Sequence, residues 1–324
     1  MALYPITFSI PSEKIVTTIP KKSYIVAKFI PVGVGEKTYI YNTEEEYYND
    51  YKQSLFAITK KKGGWDCMRH YEILACGCIP YFENFKECPK YRLFNFPKKI
   101  ILEVNKFYNY LTSKYNISLN NSASQLTNDE INMCYNYINI LLEYTKNYLT
   151  TKSIGKYIID KTQISVNDNI LYIYNHKGED YLGCLTLHGL KEIFGKNCDD
   201  YPFFPYIYKE CDETKNFNYN SLHGRGFTYT KLLEKNDYNN NYTDEKIIEN
   251  IKNNKYSLII YSSLHCEKSI YNKHIFIDIV NKYYPNDKVV FLCGEDEHKP
   301  DHKTSKCLYP EYIRKGYKCF VREL

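Results

Sequence analysis

The stretch KKKGGWDCMRHYEILACGCIPYFENFKECP, Lys60–Pro89, decides how the chain is read. Gly63 and Gly64 end the apolar run Leu55–Ile58 and turn the chain. From Trp65 to Cys76 the apolar residues Met68, Tyr71, Leu74 and Ala75 recur at helical spacing. Gly77 closes that helix because glycine accepts the positive φ a helix stop requires. CIPYF then reads as a short buried strand, so the stretch is a glycine turn, an amphipathic helix and a strand.

On this helix Arg69 and Glu72 lie one turn apart and share a face. Asp66 falls in the first turn, where the helix dipole favours an anion. A turn that delivers backbone N–H groups, an Arg and a Glu suits a sugar nucleotide. The N–H groups and Arg69 hold a diphosphate, and Glu72 accepts hydrogen bonds from ribose hydroxyls. Lys60, Lys61 and Lys62 stand beside the turn and attract the same diphosphate. The plainer reading is a strand–helix–strand unit whose polar residues face solvent.

The wording R-x-x-E-x-x-x-x-G-x-I-P, carried by Arg69, Glu72, Gly77, Ile79 and Pro80, resembles the donor-site helix of GT-B glycosyltransferases. Exostosin-like and related bacterial and viral glycosyltransferases carry similar wording. The likeness covers about 30 residues and is local. It implies an α/β fold of two Rossmann-like domains facing a cleft. It also implies transfer of a sugar from a nucleotide diphospho-sugar to an acceptor hydroxyl. Glu72 would hold the ribose, while Arg69, Gly63, Gly64 and Lys62 would stabilise the leaving diphosphate without a metal. The E-x7-E form of the motif wants a carboxylate at position 64, where this chain has Gly64, so the role of that first Glu is unassigned.

Composition agrees with a folded enzyme-sized chain. The 324 residues suit two domains of ordinary size, and 44% hydrophobic with 25% charged residues is a globular balance. The 36 Tyr, with abundant Lys, Asn and Ile, follow A- and T-rich codons, a bias of giant DNA viruses and some protists, with an aromatic stacking function as the second explanation. A net charge of +5, with basic residues dispersed among acidic ones, leaves no electrostatic footprint for nucleic acid. The 12 Cys without regular spacing argue against a disulfide scaffold and for reduced thiols. The start, MALYPITFSIPSEK, lacks the plan of a signal peptide, and no apolar run reaches the roughly 18 residues of a transmembrane helix. These features predict a cytoplasmic protein (host cytoplasm or virion if viral), and the glycosyltransferase resemblance implies no cofactor beyond the nucleotide-sugar substrate.

Along the chain, strands are predicted at Tyr4–Ile10, Tyr24–Ile30, Leu55–Thr59, Cys78–Phe82 and Pro97–Glu103, the last reading KKIILE. Helices are predicted at Thr43–Gln53, capped by Thr43, and at about Asp129–Thr150. Thr151–Asp160 continues as helix or connector, and polar Lys161–Asp168 marks a boundary. A second alternation follows: strand Ile170–Tyr174, helix Asp180–Phe194 closed by Gly195, and an irregular stretch Cys198–Asn241. Helix Glu245–Asn253, strand Tyr256–Tyr261, helix Ser269–Tyr284, strand Lys288–Cys293, a short helix near Tyr309–Lys315 and strand Lys318–Val321 complete it. This alternation predicts parallel sheets in two domains, 1–155 with the donor-type motif and 156–324 on the acceptor side. GT-B enzymes usually carry the donor motif in their second domain. The early position here, with the strand-like ends GYKCFVREL and YPITFSIP, suggests a circular permutation in which a segment like the last runs directly into one like the first.

Other constellations supply candidate catalytic groups. Cys293–His298, CGEDEH, closes a strand with clustered carboxylates and imidazoles, and Asp301 and His302 follow. Glu295 and Asp296 are candidates for the base that deprotonates an acceptor hydroxyl. A metal site is the second reading of this cluster, but Pro300 breaks the helix that would pair His298 with His302, so none is assigned. His265, after strand Tyr256–Tyr261, is a third candidate base. In HGRGF, glycines flank Arg225 and would let backbone approach a phosphate. The expected partners are a nucleotide-sugar donor and a glycan or protein acceptor. The competing expectations are a non-catalytic, degenerate GT-B-like binding or structural protein, and a metal-dependent hydrolase built on residues 295–302.

Overall fold

The computed structural model describes residues 2–31, 40–119, 121–174, 180–211, 217–235, 242–262, 274–296 and 309–324. They form two units, Ile10–Thr150 and the union of Met1–Ser9 with Thr151–Leu324. The division therefore falls at 150/151 rather than 155. It also returns the first nine residues to the later unit, because β1 (Leu3–Pro5) pairs with a strand at the far end of the chain.

In Ile10–Thr150, three short apolar segments pair in parallel: β2 (Tyr24–Val26), β3 (Ser54–Thr59) and β4 (Ile79–Phe82), in the order β2-β3-β4. Helix α1 (Glu44–Lys52) precedes β3 and opens on a capping box, in which Thr43 accepts from Glu46 N–H while the Glu46 side chain returns to Thr43 N–H. Helix α2 (Met68–Ala75) joins β3 to β4 and ends at Gly77, φ +61°. It starts three residues later than its apolar spacing suggests, so Asp66 precedes the helix instead of lying in its first turn. KKIILE is not a strand but the opening of α3 (Lys98–Tyr115). Its buried residues Ile101, Val104, Tyr108 and Leu111 follow one helical face, which a three-residue apolar run does not reveal. Helix α4 (Asn128–Tyr148) has a second capping box, from Thr127 and Glu130.

The other unit is built on a six-stranded parallel sheet. Its helices and strands are α5 (Thr151–Thr162), β5 (Ile170–Ile173), α6 (Tyr181–Phe194), β6 (Cys198–Tyr201), α7 (Asp244–Lys252), β7 (Leu258–Tyr261), α8 (Ile277–Tyr283), β8 (Val289–Cys293), α9 (Tyr309–Arg314) and β9 (Lys318–Val321). The strand order is β1-β9-β8-β7-β5-β6. Alternate strand residues Leu171, Ile173, Ile259, Tyr261, Phe291, Cys319 and Val321 pack with Ile247 and Ile251 of α7, Ile277 and Val280 of α8, and α9. The opposite face takes α5 and α6: the Tyr172 hydroxyl bonds the Gly183 carbonyl, and Tyr157 packs on Phe320. The chain thus winds one way from β5 to β6 and the other way from β7 onward. That is a doubly wound, Rossmann-like α/β sheet whose direction switches between β5 and β7.

Two features here were not anticipated. Strand β6 lies in the stretch read as irregular, and its Asp199 and Asp200 are buried. Asp200 pairs with Lys191 at 2.7 Å and accepts from Tyr208; Asp199 pairs with Lys255 and accepts from Tyr256. Inward charges on an edge strand discourage pairing with another chain. At the other edge, β1 runs parallel to β9, with Leu3 opposite Cys319. Parallel neighbours need a crossover of a dozen or more residues, so a segment like Gly316–Leu324 does not run directly into one like residues 1–10 in this pairing.

Candidate functional site

The loop between β3 and α2 is tied down almost residue by residue. Lys62 N–H donates to the Gly64 carbonyl at 3.1 Å, and the Cys67 thiol donates to the same oxygen. Trp65 is buried and stacked on Phe82, with the Lys61 ammonium 5.6 Å from its ring. Asp66 is 1% exposed and accepts a 2.8 Å hydrogen bond from the Tyr71 hydroxyl. His70, fully buried, bonds Thr59 Oγ1 through Nδ1 and the Trp65 carbonyl through Nε2, both at 2.9 Å. Burial, and then the Arg69 charge, push the His70 imidazole down to about 3, so it is neutral. Gly63 is exposed at the tip, and Lys60, Lys61 and Lys62 are half-buried around it.

Arg69 and Glu72 rise from α2 as their spacing predicts. Glu72 is 5% exposed, and its Oε2 accepts from the Tyr47 hydroxyl at 2.8 Å. Tyr47 in turn accepts from Tyr51 at 3.1 Å, so α1 props the Glu72 carboxylate through a relay of two phenols. Burial holds the Tyr51 phenol well above its usual range, with Arg69 opposing that shift. The Arg69 guanidinium lies 5.9 Å from the Phe29 ring. Phe29 is fixed because its N–H and that of Lys28 both donate to the Asp50 carboxylate. The loop and helix therefore gather Lys62, Gly63, Gly64, Asp66, Arg69 and Glu72 in one unit, at the carboxyl end of β3. Chemically the group offers cations and a glycine turn for an anion, and a propped carboxylate for hydroxyl donors.

The candidate bases belong to the other unit. Glu295 and Asp296 follow β8 at a strand end, as their sequence position suggests. Asp296 is held by Arg322, which is 2% exposed just past β9, donates through Nε to the Gly294 carbonyl at 2.8 Å, and lies 4.5 Å from the Phe8 ring. Glu323 stands 3.5 Å from the same guanidinium. His265, Glu297, His298, Asp301 and His302 lie outside the described residues, and among the described residues no group of three or more His, Cys, Asp or Glu is arranged to hold a metal. Gly224, Arg225 and Gly226 all take positive φ, a left-handed run that the two glycines make accessible.

Sequence reasoning did not find Tyr47, His70 or Arg322. Tyr47 acts through Glu72, 25 residues along the chain, and carries no local signal; the partners of His70, Trp65 and Thr59, lie 5 and 11 residues before it, but a histidine on a helix gives no sign of which backbone groups its ring will bond. Arg322 had the same signal that raised Glu295, a charged residue directly after a buried strand. No family model, no curated protein and no solved structure matches this chain.

Proposed function

We propose that the chain is a metal-independent glycosyltransferase of GT-B type, binding a nucleotide diphospho-sugar on the Ile10–Thr150 unit. The observation that carries the reading is the α2 face: Arg69 and Glu72 one turn apart, above a braced glycine- and lysine-bearing turn at the end of a parallel strand. An acceptor hydroxyl attacks the anomeric carbon, the bond to the diphosphate breaks, and the nucleoside diphosphate leaves with the electron pair. Arg69, Lys62 and the turn at Gly63–Gly64 stabilise that leaving charge. Glu72 accepts from ribose hydroxyls. A carboxylate or imidazole takes the hydroxyl proton, with Asp296, Glu295 and His265 as the proposed candidates; Arg322 engages the Asp296 carboxylate.

The test is titration with uridine and guanosine diphosphates, followed by turnover with a panel of sugar nucleotides. Glu72→Gln keeps an acceptor for Tyr47 while removing the charge. A charge-assisted hydrogen bond contributes about 1.5–3 kcal/mol, so its loss weakens the nucleoside diphosphate about 10- to 100-fold. Unchanged affinity and turnover in Glu72→Gln would sink the donor assignment.

A second reading is favoured by one observation. Asp66 and Glu72 both accept from interior phenols, Tyr71 and Tyr47. Such carboxylates serve packing as well as binding, and Gly64 stands where the motif's first Glu would be. A non-catalytic binding or structural protein with this framework predicts no thermal stabilisation by any nucleoside diphosphate.

A further inference from the structure

We infer that His70 is a positioning residue that latches the Lys60–Cys67 loop in the shape its exposed tip needs to hold an anion. The Trp65 carbonyl can only accept, so Nε2 must carry the proton it shares at 2.9 Å. Nδ1 is then an acceptor, and the Thr59 hydroxyl donates to it, also at 2.9 Å. One imidazole thereby joins three points: Thr59 at the end of β3, Trp65 within the loop, and its own position in α2. The ring sits 4.5 Å from Phe82, and Trp65 stacks on that same ring, so Phe82 is the floor beneath both. A loop of this length with two glycines has many conformations in water. With Trp65 fastened, the turn at Gly63 and the lysines before it are confined before any ligand arrives, and the ordering cost is not charged to binding.

The latch holds across ordinary pH. The imidazole is fully buried, and the charged group nearest it on its own helix is Arg69, which opposes protonation. Asp66, the acidic group of the loop, is engaged by Tyr71 rather than by His70. Anion affinity should therefore show no titration step from this histidine between about pH 5 and 8.

The chain provides its own reporter, because Trp65 is the single tryptophan. Its consequence for binding rests on the donor-site reading; the latch itself does not. The experiment compares wild type with His70→Phe, which keeps an aromatic ring on Phe82 and removes both hydrogen bonds, and with His70→Gln, which restores a donor and an acceptor. Trp65 fluorescence and amide exchange of residues 60–67 report the loop, and titration with inorganic pyrophosphate reports the tip. In His70→Phe, Trp65 emission should move to longer wavelength, exchange of 60–67 should quicken at least tenfold while α4 is unchanged, and the pyrophosphate Kd should rise about tenfold. His70→Gln should recover part of each. A ring that merely fills space predicts no change in His70→Phe, and that result overturns the inference. A loosened loop with unaltered pyrophosphate affinity also overturns the positioning role and leaves the donor site standing. A loosened loop in a protein that binds no pyrophosphate even as wild type rejects the donor reading and retains the latch. Should His70→Phe fail to fold, Thr59→Val removes one of the two hydrogen bonds at nearly constant shape and should give the same changes at about threefold.

Discussion

Replacing Asp200 by Asn should unlock the β5–β6 edge of the six-stranded sheet. Lys191 and Asp200 are both buried, 7% and 2% exposed, and stand 2.7 Å apart. Burial drives the Lys191 ammonium down, but Asp200 and Cys198 more than offset it, so the group stays charged and its pKa is raised. Asn keeps the acceptor for Tyr208 and nearly the same volume, so the change isolates the charge. An ammonium left buried without its countercharge costs about 3–5 kcal/mol. Its escape is to lose the proton, which from an ordinary value of 10.5 costs about 5 kcal/mol at pH 7 and about 2 kcal/mol at pH 9. The penalty is therefore capped, and the cap falls with rising pH. In the variant the folded ammonium has a depressed pKa while the unfolded chain still binds the proton, so stability is regained as pH rises toward 10.5. Amide exchange of peptides from β5, α6 and β6 in the intact chain measures it. At pH 7, about 3–5 kcal/mol is roughly a hundred- to several-thousand-fold acceleration, corrected for the intrinsic rate. The pair Lys191→Met with Asp200→Asn, which removes both charges, should return most of the protection. Protection within threefold of wild type in the single variant, or a penalty equal at pH 7 and 9, would refute the argument.

Three further outcomes follow from the same structure. Gly189→Ala brings a Cβ to 2.0 Å from the Thr151 carbonyl oxygen and 2.4 Å from its carbon, so α5 and α6 must separate; a loss of at least about 1–3 kcal/mol should appear as a lowered Tm. His70 and His274 are buried with imidazoles pushed down to about 3 and about 4, by burial in both cases and then by Arg69 for His70. The unfolded chain takes up protons below about pH 6.5 that the native chain refuses, so each unit should lose about 2 kcal/mol between pH 6.5 and 5, and His274→Phe should flatten the acid limb of the later unit in urea titrations. Thr43→Ala removes the hydroxyl that caps α1 and should cost about 1 kcal/mol, read from the Trp65 unfolding curve of the Ile10–Thr150 unit.

The parts of the fold that were legible are those whose cause is local. Thr43 with Glu46, Gly77 after Ala75, and Gly195 after Phe194 each mark a helix end by the chemistry of a few neighbours. Buried runs such as Ile170–Ile173 and Val289–Cys293 are all apolar and read directly as strands of a parallel sheet. Illegible elements depend on distant partners. CDDY looks like a polar loop because the lysines and tyrosines that make its aspartates tolerable come from Lys191, Tyr208, Lys255 and Tyr256. KKIILE looks like a strand because its helical period shows only when the window extends to Leu111.

The same distinction separates the two halves of the candidate site. Arg69 and Glu72 share a face because α2 is a helix, and any reader of the spacing finds them. What Glu72 can do is set elsewhere, since Tyr47 is 25 residues upstream and is itself bonded by Tyr51. A carboxylate that accepts from a phenol has its acceptor direction fixed before a ligand arrives. Asp66, read as a first-turn anion, is instead enclosed before the helix and spent on Tyr71, where a phosphate would find no welcome beside it. The anion-binding surface thus shrinks to Arg69, the exposed Gly63 and the lysines that precede it. Whether that smaller surface suffices depends on how firmly the loop is held, and that firmness comes from His70, a residue whose position in the motif wording is an x.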